Sequence, residues 1–311
     1  MKNCFLFPGQ GAQYPGMGKD LYEASQNVKD LFAKADTVTG RDLKALLFEG
    51  TVEDLKKTEN TQVAITLINL AIRRYLEELG ITSKGAAGFS LGEFSAMVDT
   101  GILTEEQVLP LVIERGEIMA KVAATSPALA DGCGMAAVIG MSSEDVEKAV
   151  AGREDVFPAN YNSPVQTVVS GTAAGIDWAA KALKEAGARR VIPLKVSGPF
   201  HTPLLEEAKK AFGEYLSSLD FKDPAKPLYS NVTGGMVKEG KEARKLSALQ
   251  IVSPVKWVAI QNNIVSDGFE ACIEVGPGKV LSGLWKNIKS DITCYPTDKK
   301  EAIDAVAGEL K

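Results

Sequence analysis

The chain has 311 residues, 45% of them hydrophobic, which is enough for one large domain or two unequal domains with real cores. Its net charge of -5 at pH 7 argues against nucleic acid or an anionic membrane as the main partner, because both require concentrated Lys and Arg. No apolar run approaches the length that spans a membrane. Four scattered cysteines and one histidine do not form a usual zinc pattern and favour a cytoplasmic protein with reduced thiols and no metal.

The first predicted element is a buried strand at residues 4–7, which ends in the glycine-rich loop Pro8-Gly9-Gln10-Gly11. A phosphate-binding loop is excluded because Tyr14 occupies the third glycine position of Gly-x-Gly-x-x-Gly. The backbone N–H of Gln10 could instead point into a site as an oxyanion donor, with a plain turn as the alternative. A helix from Thr61 to Leu79 follows and is predicted to end at Gly80.

The pentapeptide Gly88-Phe89-Ser90-Leu91-Gly92 lies between small residues and a helix-compatible segment. This context is typical of a nucleophile elbow, in which two glycines let a strained turn present the serine hydroxyl. The backbone N–H of Leu91, at the start of the following helix, is a candidate oxyanion donor. A chance match in a glycine-rich chain is the alternative interpretation.

Arg115 is placed by a helix predicted to begin at Thr104, with Gln107 completing a capping box. Position 115 falls inside the apolar stripe of this helix, and no carboxylate lies three or four residues away. Because a buried unpaired guanidinium is costly, its partner is either a distant acid of the protein or an anionic group of a substrate.

The middle of the chain predicts elements in the order βαββαβ, which is the ferredoxin-like motif. The predicted elements are a strand at 135–139, a helix at 142–151, strands at 156–160 and 167–170, a helix at 173–186 and a strand at 190–196. We therefore predict a small domain at 130–197, inserted into a larger domain formed by 1–129 and 198–311.

His201 is the only histidine of the chain and lies in a loop between Pro199 and Pro203. A serine hydroxyl needs a base, and imidazole is the best match near neutral pH. If Ser90 is a nucleophile with a histidine base, that base is His201; a capping or merely exposed histidine is the alternative.

The last third of the chain returns to longer α and β alternation, which predicts a parallel sheet in the larger domain. The predicted elements are a helix at 204–219, a strand near 228–231, a helix from Ser247 into the 250s, a strand at 271–275 and a helix to about Ile288.

Six motifs, in order along nearly the whole chain, resemble malonyl-CoA:acyl carrier protein transacylases of type II fatty acid synthesis. They are Phe7-Pro8-Gly9-Gln10-Gly11, Gly88-Phe89-Ser90-Leu91-Gly92-Glu93, Glu114-Arg115-Gly116, Asn160-Tyr161-Asn162-Ser163-Pro164, His201 and Glu274-Val275-Gly276-Pro277-Gly278. The resemblance implies a larger α/β-hydrolase-like domain with a ferredoxin-like small domain. One residue departs from the family, which usually has histidine where this chain has Phe89.

The resemblance also implies roles for single residues. Ser90 would carry the malonyl ester and His201 would act as general base and then acid. The backbone amides of Gln10 and Leu91 would form the oxyanion hole, and Arg115 would bind the malonyl carboxylate. The remaining implied site residues are Gln250, whose backbone carbonyl would orient His201, and Asn162 and Asn231, which would contact substrate.

The implied reaction moves a malonyl group from malonyl-CoA to the phosphopantetheine thiol of acyl carrier protein and requires no metal or redox cofactor. Because carrier proteins are acidic, docking should use a local basic patch, for which Arg189, Arg190 and Lys286 are candidates. Two rival classes are a serine hydrolase and a non-catalytic carrier-binding module. Three features count against the hydrolase: the long segment after His201, the lack of an evident acid as third member of a triad, and Arg115, which needs an anionic acyl group. The presence of both Ser90 and His201 counts against the non-catalytic module.

Overall fold

The computed structural model describes residues 1–310 and consists of two β-sheets surrounded by helices. The strands are β1 (Asn3–Phe7), β2 (Gly85–Gly88), β3 (Cys133–Ile139), β4 (Val156–Ser163), β5 (Gln166–Thr172), β6 (Arg190–Leu194), β7 (Leu228–Tyr229), β8 (Ala271–Glu274) and β9 (Thr293–Pro296). The helices are α1 (Lys19–Ala24), α2 (Gln26–Thr39), α3 (Leu43–Phe48), α4 (Val52–Lys56), α5 (Thr58–Glu78), α6 (Gly92–Asp99), α7 (Glu105–Thr125), α8 (Ser143–Val150), α9 (Ala173–Glu185), α10 (Glu206–Leu216), α11 (Gly240–Gln250), α12 (Trp257–Ser266), α13 (Val280–Trp285) and α14 (Lys300–Leu310).

The larger sheet has five parallel strands in the order β7-β2-β1-β8-β9. Strand β1 is central and fully buried, as its unbroken apolar sequence predicts for a parallel strand covered on both faces. Phe7 at the end of β1 pairs with Gly88 at the end of β2. The loops that follow these two strands therefore leave the same edge of the sheet, and this edge carries the Gln10 loop and the Ser90 turn.

The smaller sheet is antiparallel, with the order β4-β5-β3-β6. Helices α8 and α9 pack on it around a separate apolar cluster that includes Val138, Val146 and Leu183. The predicted βαββαβ order is thus confirmed, and so is the mixed α/β fold with a parallel sheet. The division of the chain at 129/130 and 197/198 stays a prediction.

Two long helices, α5 and α7, pack side by side in the main core. Helix α7 begins as predicted, with Thr104 and Gln107 forming a capping box, and α5 is followed by Gly80 in the left-handed conformation (φ 81°). Because position 115 faces α5 rather than solvent, Arg115 is only 2% exposed. The sequence prediction of a buried guanidinium is confirmed.

Several predictions for the C-terminal third differ from the structure. The helix predicted from Ser247 into the 250s was wrong: α11 runs from Gly240 and ends at Gln250, and Pro254 disfavours helical backbone just before it. Helix α10 is shorter than the predicted 204–219 because a 3-10 turn precedes it. Each helix within residues 1–310 is either too short or too polar to span a lipid bilayer.

Candidate active site

Ser90 lies in a tight turn between β2 and α6, with φ 51°. The turn requires both flanking glycines. A Cβ on Gly88 would lie 2.0 Å from the carbonyl carbon of Gly92, and a Cβ on Gly92 would lie 2.0 Å from the carbonyl oxygen of Phe7. The glycines thus let strand, turn and helix approach closely while the serine occupies a strained backbone conformation.

His201 is the other non-glycine residue with positive φ (62°) within residues 1–310. Its backbone N–H donates to the carbonyl of Ile251 at 3.1 Å, and the hydroxyl of Thr202 donates to the carbonyl of Pro199 at 2.7 Å. A left-handed non-glycine residue costs of order 1–3 kcal/mol and persists where surrounding contacts enforce it. Both candidate reactive residues therefore occupy backbone conformations that the fold holds at some cost in stability.

The two side chains meet: Ser90 Oγ lies 2.7 Å from His201 Nε2. His201 Nδ1 faces two backbone carbonyls, of Gln250 at 2.9 Å and of Ser253 at 3.2 Å. Because a carbonyl only accepts, Nδ1 carries the proton and Nε2 presents its lone pair to the serine hydroxyl. Carbonyls thus occupy the place where a triad carboxylate would orient the ring.

Burial and, to a smaller extent, the nearby Arg115 charge lower the pKa of His201 to about 4, although the two carbonyls oppose the shift. The imidazole is therefore neutral even at pH values well below its ordinary pKa, and a base must be neutral to accept a proton. At pH 5 about nine-tenths of such a group is neutral, against about 3% at the ordinary pKa of 6.5.

We expect a sulfonyl fluoride, which reacts with an activated serine, to modify Ser90 at pH 5 at a rate within about twofold of its rate at pH 7. Intact-protein mass spectrometry over time measures this rate, with the hydrolysis of the reagent at each pH as the control. A fall of more than about tenfold between pH 7 and pH 5 would show an imidazole of ordinary pKa and would contradict the assigned environment.

The pair opens into a cavity of 380 Å³ between the two sheets, and Gln10 and Leu91 line it beside Ser90. Neither backbone N–H donates a hydrogen bond to another group in the described part of the chain. Glycine at position 9 allows this approach, since a Cβ there would lie 2.4 Å from the carbonyl oxygen of Phe89. Two free donors next to a nucleophile are the arrangement that stabilises an oxyanion.

The guanidinium of Arg115 lines the same cavity and is held by neutral amides. Nη1 donates to Gln62 Oε1 at 2.9 Å and Nη2 to Gln250 Oε1 at 3.0 Å, while Nε has no partner in residues 1–310. Burial lowers its pKa to about 10, and Glu93 opposes that shift, so the group stays charged near neutral pH. No carboxylate of the described chain lies within 4.0 Å of it.

Asn162 and Phe89 also line the cavity. Asn162 is 8% exposed, and its Oδ1 has no partner among the described residues. Phe89 packs edge-on against Trp257, with ring centroids 5.4 Å apart. The residue that replaces the histidine usual in the family therefore contributes an apolar wall.

Asn231 differs from its sequence prediction, because it does not line the cavity and lies fully buried behind the serine turn. Its Oδ1 accepts the Ser90 backbone N–H at 2.7 Å, and its Nδ2 donates to the Gly88 carbonyl at 2.6 Å. Both polar atoms of the side chain are thus occupied by the turn and unavailable to substrate.

The sequence interpretation missed three contributors to the site: Gln62, the Gln250 side chain and Glu93. Gln62 faces Arg115 from α5, at helical spacing from Thr66 and Asn69, and this polar row on an otherwise apolar helix is the signal that could have found it. Glu93 follows directly after the serine motif and is 2% exposed.

No group of three or more His, Cys, Asp or Glu side chains in residues 1–310 is placed to hold a metal ion. The candidate docking residues Arg189, Arg190 and Lys286 are exposed.

An α/β fold with this serine, imidazole and pair of free amides defines an enzyme that forms an acyl-serine ester, whose acceptor is either water or another nucleophile. Residues 4–305 match the family described as acyl transferase domain. A malonyl CoA-acyl carrier protein transacylase of Bacillus subtilis is 39% identical over 100% of this chain and 98% of its own length. The Escherichia coli K12 protein of the same name is 36% identical over 97% of each.

Solved structures of malonyl transacylases also resemble this chain over nearly its whole length. The Streptococcus pneumoniae MCAT structure superposes with a TM-score of 0.92 at 39% identity, over 99% of this chain and 100% of that one. A malonyl-transacylase in complex with its type II PKS acyl-carrier protein superposes with a TM-score of 0.94 at 33% identity, over 99% and 100%. The chain belongs to the acyl transferase domain family, among the malonyl CoA-acyl carrier protein transacylases.

Proposed function

We propose that this protein transfers a malonyl group from malonyl-CoA to the phosphopantetheine thiol of an acyl carrier protein, for fatty acid biosynthesis, through an ester on Ser90. The observation that carries this proposal is the cavity itself. It contains a serine and imidazole 2.7 Å apart together with a buried guanidinium whose hydrogen-bonding partners are neutral amides. The first pair forms an acyl ester, and the cation selects an acyl group with a terminal carboxylate.

In the first half-reaction Ser90 Oγ attacks the thioester carbonyl carbon while His201 Nε2 takes the hydroxyl proton. Negative charge develops on the carbonyl oxygen, facing the backbone N–H groups of Gln10 and Leu91. The carbon–sulfur bond then breaks, the imidazolium returns its proton to the CoA sulfur, and the malonyl ester remains on Ser90. The Gln250 carbonyl stabilises the imidazolium through the Nδ1 proton.

The second half-reaction runs these steps in reverse with a different thiol. His201 takes the proton of the phosphopantetheine thiol, the sulfur attacks the ester carbonyl, and Ser90 leaves with the proton that the imidazole returns. None of these steps uses a metal or a redox cofactor. The complex of a structural relative with its carrier protein supports a carrier as acceptor, and exposed Arg189, Arg190 and Lys286 are its proposed docking residues.

Arg115 is the proposed anchor of the malonyl carboxylate. A guanidinium has five N–H donors in a planar fork, and two of them go to Gln62 and Gln250. The remaining Nη protons are available to a carboxylate as a bidentate, charge-assisted contact, whereas Nε is buried without a partner among the described residues. Asn162, which lines the cavity and has a buried amide oxygen without a partner among the described residues, is a further proposed substrate contact.

We place the reaction in the cytosol. The four cysteines are free, which suits a reducing compartment, and the type II carrier and its CoA substrate would be met there.

Transfer is distinguished from hydrolysis by following CoA release from malonyl-CoA with and without carrier protein. We expect slow release without the carrier, and with holo-carrier a release at least about tenfold faster, matched by malonyl appearing on the carrier thiol. Carrier lacking phosphopantetheine is the control, since it retains the docking surface but has no acceptor thiol. Release at one rate in all three reactions would identify a hydrolase and contradict the proposal.

For Asn231 we propose a positioning role, because both of its polar side-chain atoms hold the Ser90 turn. Asn231→Ala leaves the Ser90 N–H without its acceptor, which costs about 1–3 kcal/mol of stability, and should lower kcat while leaving KM for malonyl-CoA nearly unchanged. Steady-state kinetics and thermal unfolding check this. A raised KM with unchanged kcat would instead support the original prediction of a substrate contact.

A further inference from the structure

Glu93 is a buried carboxylate that the proposed steps do not use. It lies in the first turn of α6, three residues after the nucleophile, and is 2% exposed. It does not line the cavity, and no Lys, Arg or His nitrogen of the described residues lies within 4.0 Å of it. A buried carboxylate without a direct cation is costly and calls for an explanation.

The two oxygens of Glu93 accept hydrogen bonds from groups that surround the reactive pair. Oε1 accepts the backbone N–H of Asn231 at 3.2 Å, and Oε2 accepts from Nε2 of Gln250. Asn231 holds the serine turn, whereas Gln250 contacts both His201 and Arg115. The carboxylate therefore touches neighbours of all three proposed functional groups without reaching any of them itself.

Gln250 is the link between Glu93 and the substrate anchor. Its Nε2 faces two acceptors, Glu93 Oε2 and the Ser90 carbonyl oxygen at 3.1 Å, and its Oε1 faces Arg115 Nη2 at 3.0 Å. A carboxylate accepts only, so the amide must turn its NH2 toward Glu93 and its oxygen toward Arg115. With the opposite orientation an NH2 group would oppose the cation and an oxygen would oppose the carboxylate.

We infer that Glu93 is a positioning residue that fixes the orientation of the Gln250 amide, and through it the Arg115 guanidinium, so that the site prefers a malonyl over an uncharged acyl group. The inference rests on the proposed function. Burial raises the pKa of Glu93 to about 7, whereas its hydrogen bonds and the Arg115 charge favour the ionised form and oppose this shift. The ionised form, about half of the molecules at pH 7, faces the Arg115 cation across one amide, which is oriented by both.

The test is Glu93→Gln, which keeps the side-chain volume but replaces one acceptor oxygen with a donor. Because both partners of Glu93 donate, one of them must then face an NH2 group. Gln250 keeps the Ser90 carbonyl and Arg115 as partners but loses its charged acceptor, so its amide is held less firmly. We expect kcat/KM for malonyl-CoA to fall at least about tenfold more than kcat/KM for acetyl-CoA. In an Arg115→Ala background the same substitution should change malonyl transfer by less than about twofold, because the effect passes through Arg115.

A second variant, Gln250→Met, removes the amide between the two charges and leaves the backbone carbonyl that faces His201. It should show the same malonyl-selective loss, which tests the link between Gln250 and Arg115. If thermal unfolding shows Glu93→Gln to be unfolded, Glu93→Asp takes its place, and it should show the malonyl-selective loss because the shorter side chain withdraws the carboxylate from Gln250. Equal losses for malonyl and acetyl, or full additivity with Arg115→Ala, would reduce Glu93 to a structural role and overturn the inference. A wild-type protein that transfers no malonyl group would instead overturn the proposed function, so the two failures are distinct.

Discussion

Ser90→Ala should lower malonyl transfer by about 10⁴-fold or more, because it removes the atom that forms the acyl ester. The hydroxyl lies 2.7 Å from the imidazole and next to two free backbone amides, so no other side chain can substitute for it in the same geometry. Single-turnover transfer from labelled malonyl-CoA to the carrier measures the loss. Malonyl-CoA binding should be retained, because the cavity wall and Arg115 are unchanged.

His201→Ala should cost nearly as much as Ser90→Ala, and the double variant should be no worse than either single one. Residues that act as one unit show such non-additive losses. The control is thermal unfolding, since His201 occupies a left-handed backbone conformation and alanine there still carries a Cβ. A His201→Ala enzyme with more than about a tenth of wild-type activity would show that another base serves Ser90.

Arg115→Ala should lower kcat/KM for malonyl-CoA by about 10²-fold or more, while leaving acetyl transfer equal to or better than that of the wild type. Two charge-assisted hydrogen bonds are each worth about 1.5–3 kcal/mol, and an uncharged acyl group makes neither. The same variant thus provides its own control, because a folding defect would lower both activities together.

Arg115→Lys is the matched variant, since it keeps the charge and loses the planar fork. Lysine presents a single point charge and cannot hold Gln62, Gln250 and a carboxylate in one plane, so we expect a malonyl activity between those of the alanine variant and the wild type. Equal losses of malonyl and acetyl transfer in Arg115→Ala would contradict the carboxylate role.

Local sequence patterns were sufficient to locate the proposed nucleophile, Ser90, and the buried cation, Arg115. The spacing of Gly88, Ser90 and Gly92 predicts an elbow from five consecutive residues, although only Gly88 relieves a contact inside this segment and Gly92 instead makes room for Phe7 at the end of β1. The capping box of α7 sets the helical phase, which turns position 115 toward the core. These predictions succeeded because their causes are local in the chain.

The contacts that complete the site join distant parts of the chain. Gln250 contacts Glu93, which is 157 residues away in the sequence, and Arg115, which is 135 residues away. Hydrophobic periodicity within a segment cannot predict contacts between such distant residues. The contact between the Gln250 backbone carbonyl and His201 was predicted only from the resemblance to a known family. The wrong assignment at Ser247 has a local cause, because α11 ends at Gln250, shortly before Pro254. The sequence analysis also missed β9, which has only four residues, and α14, although Ile303, Val306 and Ala307 follow helical spacing.

The central claim is that the acyl group is carried by the hydroxyl of Ser90. Incubation with malonyl-CoA alone, followed by acid quenching and peptide mapping by mass spectrometry, tests it most directly. The account predicts one malonyl group per chain, on the peptide that contains Ser90, which disappears when holo-carrier is added before the quench. A malonyl group found on a cysteine or lysine, or no covalent species while transfer proceeds, would contradict it.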